Sequence, residues 1–163
     1  MNIVLAGMPA SGKTTVSKQL ERLGKKVYDT DAEIVKEHGE IKRIFEKHGE
    51  EYFRNLETIT LGRLCELDGI VISTGGGCLM RKANTALLKQ NGKIVYLRTD
   101  VETLLKRIEG DDTRPLLLGD ARGKLQKLYD ERTPVYERAA DLIIDTDGQK
   151  PEEIAHKITE LIK

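Results

Sequence analysis

Residues Gly7-Met8-Pro9-Ala10-Ser11-Gly12-Lys13-Thr14 read G-x-x-x-x-G-K-T. This phosphate-binding loop (P-loop) pattern implies nucleoside triphosphate and Mg²⁺ chemistry. Glycines at 7 and 12 let successive backbone N–H groups curl around an anion, and a helix opening just after them turns its positive end toward the same point. Lys13 is placed to reach the β- and γ-phosphates, and the Thr14 hydroxyl to ligate Mg²⁺. The apolar run Ile3–Ala6 before the loop and the helix-like segment after it, Thr14–Leu23, supply the strand–loop–helix setting the pattern requires.

Three further groups could do chemistry beside that loop. Asp29 and Asp31 follow a weak strand signal, Lys26-Val27-Tyr28. Two carboxylates one residue apart at a strand end can divide labour, one toward Mg²⁺ through water, the other toward a substrate hydroxyl or its proton. Asp31 precedes a helical stretch, so an N-cap is the competing reading for it; the pair beside a phosphate loop favours function. Gly75-Gly76-Gly77 follows the strand-like run Ile70–Ser73. A plain turn needs one or two glycines, so three imply close backbone approach to a ligand. Cys78 comes next and is read as near the site, with inert burial the commoner fate of a lone cysteine. Arg54, Arg107, Arg114 and Arg132 complete the set. Spacing alone does not separate them from solvated surface arginines.

The elements that must position these residues alternate in kind. Short β-branched runs recur at Ile3–Ala6, Ile70–Ser73, Ile94–Leu97 and Leu142–Asp145, with the weaker one before Asp29. Helical spacing marks Tyr52–Leu67, Arg81–Gln90, Val101–Ile108, Gly123–Ala139 and Pro151–Ile162. Strand and helix in alternation predict an α/β fold: three α/β/α layers around a five-stranded parallel sheet. Ligands of such sheets sit beyond the carboxyl ends of the strands, where the P-loop, Asp29–Asp31, Ser73–Gly77 and Thr99–Asp100 should gather. Residues 31–66 form a helical insertion too long for a simple crossover. Residues 109–122 lack a clear period and read as a lid or binding loop. Pro134 is expected to bend or interrupt its helix, and Pro151 to open the last one.

Bulk properties narrow the class. The 163 residues suit one domain. Lys plus Arg and Asp plus Glu number 27 each, so no global field argues for nucleic acid or an anionic membrane. No apolar run approaches a membrane span, and the N-terminal residues lack a basic signal-peptide region, which makes the cytoplasm the expected location. Cys65, Cys78 and the three histidines form no disulfide framework or zinc spacing.

Taken together, the motifs resemble the shikimate kinase family of P-loop kinases. The resemblance runs through the P-loop, Asp29-Thr30-Asp31, Gly49-Glu50-Glu51-Tyr52-Phe53-Arg54-Asn55-Leu56-Glu57, Gly75–Gly77, Arg114-Pro115-Leu116-Leu117 and Arg132-Thr133-Pro134-Val135-Tyr136, and spans the whole chain in order. It implies a single domain over 1–163, with a substrate-binding insertion at about 31–60 and a mobile lid at about 109–123. It also implies transfer of the γ-phosphoryl group of ATP to the 3-hydroxyl of shikimate, with ADP released, in aromatic amino-acid biosynthesis. By position, Arg54 and Arg132 match the cations that hold the shikimate carboxylate. Asp31 matches the residue on the ring hydroxyls and the candidate base, and Gly75, Gly76 and Gly77 match the pocket wall. Thr14 and Asp29 match the Mg²⁺-side residues, Asp29 through water. Lys13 and Arg114 match the cations on the transferred phosphoryl group. Pro9, Ala10, Ser11, Gly12, Lys13, Thr14 and Thr15 match the phosphate loop, Arg107 a residue that packs on adenine, and Gln149, before Pro151, the opposite side of that slot. A monomer with no nucleic-acid or membrane partner is expected.

Three departures from the family pattern stand out. Ala10 occupies a position where the family often has glycine, and fits there if its backbone angles are ordinary. Gly39-Glu40-Ile41 is one residue shorter than the usual spacing, upstream of Arg54. The lid is short between Leu118 and Lys124. Rival readings are another small-molecule or nucleoside monophosphate kinase, such as a gluconate or cytidylate kinase, and a nucleotide-binding regulatory module without catalysis.

Overall fold

In the computed structural model, residues 1–108 and 120–161 are described. The strands are β1 (Asn2–Ala6), β2 (Lys26–Asp29), β3 (Ile70–Ser73), β4 (Gly92–Arg98) and β5 (Leu142–Asp145). The α-helices are α1 (Lys13–Arg22), α2 (Thr30–His38), α3 (Ile41–His48), α4 (Glu50–Leu64), α5 (Lys82–Gln90), α6 (Val101–Ile108), α7 (Ala121–Ala139) and α8 (Pro151–Leu161). A 3₁₀ turn, Cys78–Met80, precedes α5. All strand pairs are parallel, in the order β2-β3-β1-β4-β5.

The two faces of the sheet explain the apolar runs. Successive strand residues point to opposite sides, so Val4 and Ala6 join Ile72, Ile94 and Tyr96 against Leu61, Leu88, Leu104, Leu125 and Tyr136. Ile3 and Leu5 join Val71, Val95 and Leu97 against Val16 and Leu20 of α1 and Ile154, Ala155 and Ile158 of α8. A strand buried on both faces needs no polar alternation, so these strands read as continuous hydrophobic runs. The insertion α2–α4 carries its own small core, Ile34, Ile44, Phe53 and Leu56.

Register brings the strand ends level. Leu5 and Asp29 both pair with Ser73, Ala6 with Tyr96, and Arg98 with Asp145. The loops that follow therefore emerge on one edge, as expected for a ligand site of an open α/β sheet.

Two expectations change here. Helix α7 runs through Pro134 without interruption. Proline costs an unsupported helix about 3 kcal/mol, and here Leu125, Tyr136 and Ala139, on both sides of it, are buried in the sheet core. Residues 121–123, assigned to the lid from sequence, form the first turn of α7, with the Asp120 side chain accepting from the Gly123 amide at 3.1 Å. The short Gly39–Ile41 link is accommodated: Gly39, at φ 86°, ends α2, and α3 opens two residues later. Among the described residues, no helix is long and apolar enough to cross a membrane.

Candidate active site

The phosphate loop is built by close approach. A Cβ on Gly7 would lie 2.8 Å from both the Leu97 carbonyl and Ser11 Oγ, so only glycine fits. Gly12 closes the loop at φ 101° and opens α1. Lys13 Nζ donates to the carbonyls of Gly7 at 2.6 Å and Met8 at 2.9 Å, which holds the ammonium over the loop.

Ala10 does not have ordinary backbone angles. Among the described residues it is the one non-glycine at positive φ, 69°. Its carbonyl accepts a bond from Arg107 Nη1 at 2.8 Å, which helps hold the conformation. The left-handed region costs an L-residue roughly 1–2 kcal/mol, partly offset by the smaller unfolded-state entropy of alanine, worth about 0.5–1 kcal/mol against glycine. Ala10→Gly is expected to leave stability unchanged or raise it by up to about 1 kcal/mol in urea unfolding; a clear loss would contradict this account.

Strand β2 ends at Asp29 and α2 begins at the next residue. Asp29, not Asp31, is therefore the cap, its Oδ1 accepting from the Ala32 amide at 2.9 Å. That leaves its second carboxylate oxygen outside the capping bond. Asp31 lies in the first helical turn. Both carboxylates line a cleft of about 600 Å³ together with Pro9, Ala10, Ser11, Gly12, Lys13, Thr14 and Thr15, and with Arg107 and Gln149. Gly75 and Gly76 form part of the same wall. Thr14 and Asp29 thus present a hydroxyl and a carboxylate to one space, the hard oxygen donors that Mg²⁺ takes.

The three glycines face charged side chains. A Cβ on Gly75 would meet Asp31 Oδ1 at 2.9 Å and Glu57 Oε2 at 3.0 Å; on Gly76, Arg132 Nη1 at 2.7 Å; on Gly77, Arg54 Nη1 at 2.7 Å. The run is anchored at its backbone, where the buried Thr30 Oγ1 accepts from the Gly75 amide at 3.0 Å and the Tyr136 hydroxyl donates to the Gly76 carbonyl. Arg54, Gly77 and Arg132 open onto a second cleft of about 520 Å³, rimmed by Arg81, Lys124 and Lys127. The glycine run thus spans the boundary between the two clefts.

Burial sets the electrostatics on this side. Glu57 is 1 % exposed and Arg132 6 %. Arg54 Nη1 donates to Glu57 Oε1 at 2.9 Å and Nη2 to Glu50 Oε1 at 3.2 Å. Burial pushes the Glu57 carboxyl above its usual range, although the Arg54 guanidinium pulls the other way. Burial opposes the charge on Arg54, and the Glu57 and Glu50 carboxylates together outweigh it. Arg81 braces α4 against the turn after the glycines, pairing with Glu51 at 2.7 Å and Asn55 at 2.9 Å. Cys78 is fully buried, and burial holds its thiol well above the ordinary range, so it is not a nucleophile here.

A methyl group at position 77 has no room beside the Arg54 guanidinium. Gly77→Ala is expected to raise KM for the acceptor substrate about tenfold by displacing that arginine, with KM for nucleotide little changed. Steady-state kinetics in both substrates check this, and equal changes in the two KM values would refute it.

The sequence-predicted residues divide between the two clefts, with Arg114 outside the described residues. Glu57, Thr30 and Tyr136 had no role assigned from sequence. For Glu57 a signal existed: three residues after Arg54 on a helix, it lies on the same face. Thr30 and Tyr136 contact the glycine run only through the fold.

A phosphate loop after a central parallel strand, beside a second cleft lined by Arg54 and the buried Arg132, defines a P-loop kinase acting on a small anionic acceptor. A family model described as shikimate kinase matches residues 9–163. Shikimate kinase from Caldicellulosiruptor bescii is 46% identical over 160 residues, covering 96% of this chain and 92% of that relative. The solved shikimate kinase of Acinetobacter baumannii in complex with shikimate superposes at a TM-score of 0.94 with 41% identity, covering 99% of this chain and 92% of that one. That of Aquifex aeolicus superposes at 0.87 with 36% identity, covering 99% and 96%. The chain belongs to the shikimate kinase family. It is an ATP-dependent phosphotransferase whose acceptor is shikimate.

Proposed function

We propose that the two clefts divide the reaction, ATP lying in the first and shikimate in the second, with the glycine run between them. The observation that carries this is the sequence of contacts along Gly75–Gly77: the carboxylates of Asp31 and Glu57 at Gly75, then the guanidinium groups of Arg132 at Gly76 and Arg54 at Gly77. A small ring carrying hydroxyls at one end and a carboxylate at the other fits that polarity. Arg54 and Arg132 hold the carboxylate, for which a planar guanidinium fork is suited. Asp31 orients the 3-hydroxyl and accepts its proton as the oxygen attacks the γ-phosphorus. Lys13 balances charge on the transferring group, and Arg114 is assigned the same task. Thr14 directly, and Asp29 through water, would hold Mg²⁺, which when bound neutralises charge on the β- and γ-phosphates. Arg107 and Gln149 flank the adenine.

Glu57 keeps Arg54 in its fork orientation and occupies the space beneath Gly75. Catalysis is then mainly positioning and charge neutralisation around an in-line transfer, in a site that must exclude water as a competing acceptor. The protein is assigned to the cytoplasm as a monomer. ADP release by the purified protein, with ATP, Mg²⁺ and a panel of acceptors, is the test. Turnover is expected with shikimate; a preference for gluconate or a nucleoside monophosphate would overturn the acceptor assignment.

A further inference from the structure

The two walls of the adenine slot come from segments far apart in the chain: α6, carrying Arg107, and the loop after β5, carrying Thr146 and Gln149. They are fastened together at their base. Asp147 Oδ2 accepts from the Asp100 amide at 3.0 Å, and its Oδ1 accepts from Thr103 Oγ1 at 3.1 Å. Asp147 thus caps the N-terminus of α6 from outside that helix, supplying one acceptor to a backbone donor the helix leaves unpaired and the other to a first-turn hydroxyl. One residue earlier, Thr146 Oγ1 lies 2.6 Å from Thr99 Oγ1, and both residues are buried. Thr99 Oγ1 also lies 3.3 Å from the Ser11 carbonyl of the phosphate loop, and Thr146 Oγ1 3.3 Å from the Arg98 carbonyl.

Two hydroxyl protons therefore serve a short chain of acceptors. One always bridges the threonines, and the other goes to Ser11 or Arg98. Through these contacts the phosphate loop, α6 and the loop after β5 are joined behind the nucleotide cleft. Thr99, Thr146 and Asp147 line no part of the second cleft.

We propose that Thr99 and Asp147 are positioning residues for the nucleotide: they set the separation of the two adenine walls and hold the phosphate loop in register with them. The proposal rests on reading this cleft as the ATP site. Neither residue touches the reacting atoms, so their loss should weaken nucleotide binding selectively. A purely structural role would lower the melting temperature or the active fraction without separating the two substrates.

The test compares Asp147→Ala, Asp147→Asn, Thr99→Val and Thr99→Ser in the full chain. Asp147 is exposed, so its variants fold even if Thr99→Val does not. Losing one net hydrogen bond of this kind corresponds to about a fivefold rise in KM for ATP, with KM for shikimate within about twofold of the parent. Asp147→Asn, which keeps one acceptor oxygen, should recover part of the loss, and Thr99→Ser most of it. Calorimetric titration with ADP reads the same change without turnover, so it decides the point even if the assignment of shikimate fails. ADP affinity unchanged in both Asp147→Ala and Thr99→Val, or KM values for the two substrates rising together, overturns the proposal.

Discussion

Replacing Arg132 by lysine is expected to raise KM for shikimate about a hundredfold while leaving KM for ATP within about twofold. The substitution keeps the charge, so it tests geometry. Arg132 is 6 % exposed, and its Nη1 fills the space that a side chain on Gly76 would take. A lysine ammonium cannot present two parallel donors to a carboxylate, and a charge-assisted pair of this kind is worth about 1.5–3 kcal/mol. Substrate-dependence curves in both substrates read the outcome. A uniform loss in both would mean that Arg132 supports the fold and not the acceptor. Arg54 behaves differently because it has two tasks. Arg54→Ala removes a cation from the acceptor cleft and also strands Glu57, which is 1 % exposed, at an expected stability cost of about 3–5 kcal/mol. Adding Glu57→Gln should restore most of the stability and none of the acceptor affinity, which separates the two tasks.

Asp31→Asn is expected to lower kcat by about a hundred- to a thousandfold, with both KM values changed much less. The amide keeps the size and one acceptor oxygen of the carboxylate but cannot accept the hydroxyl proton. Asp31 lies in the first turn of α2, and the strand-end cap is supplied by Asp29. The substitution therefore removes no capping bond, and a thermal melt should show little change. A large fall in melting temperature with an unchanged kcat in the folded fraction would return Asp31 to a structural role. The parallel change Asp29→Asn is distinguishable, because it perturbs the cap and the side of the cleft assigned to Mg²⁺ together.

The architecture was largely legible in the chain because burial on both faces writes it there. Strand Ile70–Ser73 has the bounds its sequence suggests because a strand covered on both sides is a continuous apolar run bounded by turn residues. Leu142–Asp145 matches too, as a β-branched run, although it is an edge strand with Ile143 exposed. Helix α7 is not interrupted at Pro134 because proline's cost is local, while the packing of Leu125, Tyr136 and Ala139 on both sides of it is not. The condition set for Ala10, ordinary backbone angles, fails for a related reason. A left-handed backbone at alanine is unfavourable taken alone, and the Arg107 bond that supports it spans 97 residues.

The candidate site divides along the same line. Sequence by itself determined the phosphate loop, the carboxylate pair and the glycine run, because each is a local pattern whose chemistry depends on residue type and spacing; the arginines stood out only through the family resemblance. Only the tertiary structure decided which arginine faces which glycine, that Glu57 lies beneath Gly75, that Asp29 is the cap, and that Thr99 and Asp147 tie the nucleotide walls together. Apart from the local Asp29 cap, those are contacts between the loops at the strand ends and helices or loops far away in the chain, and they depend on how the helices pack on a sheet whose register brings the strand ends level.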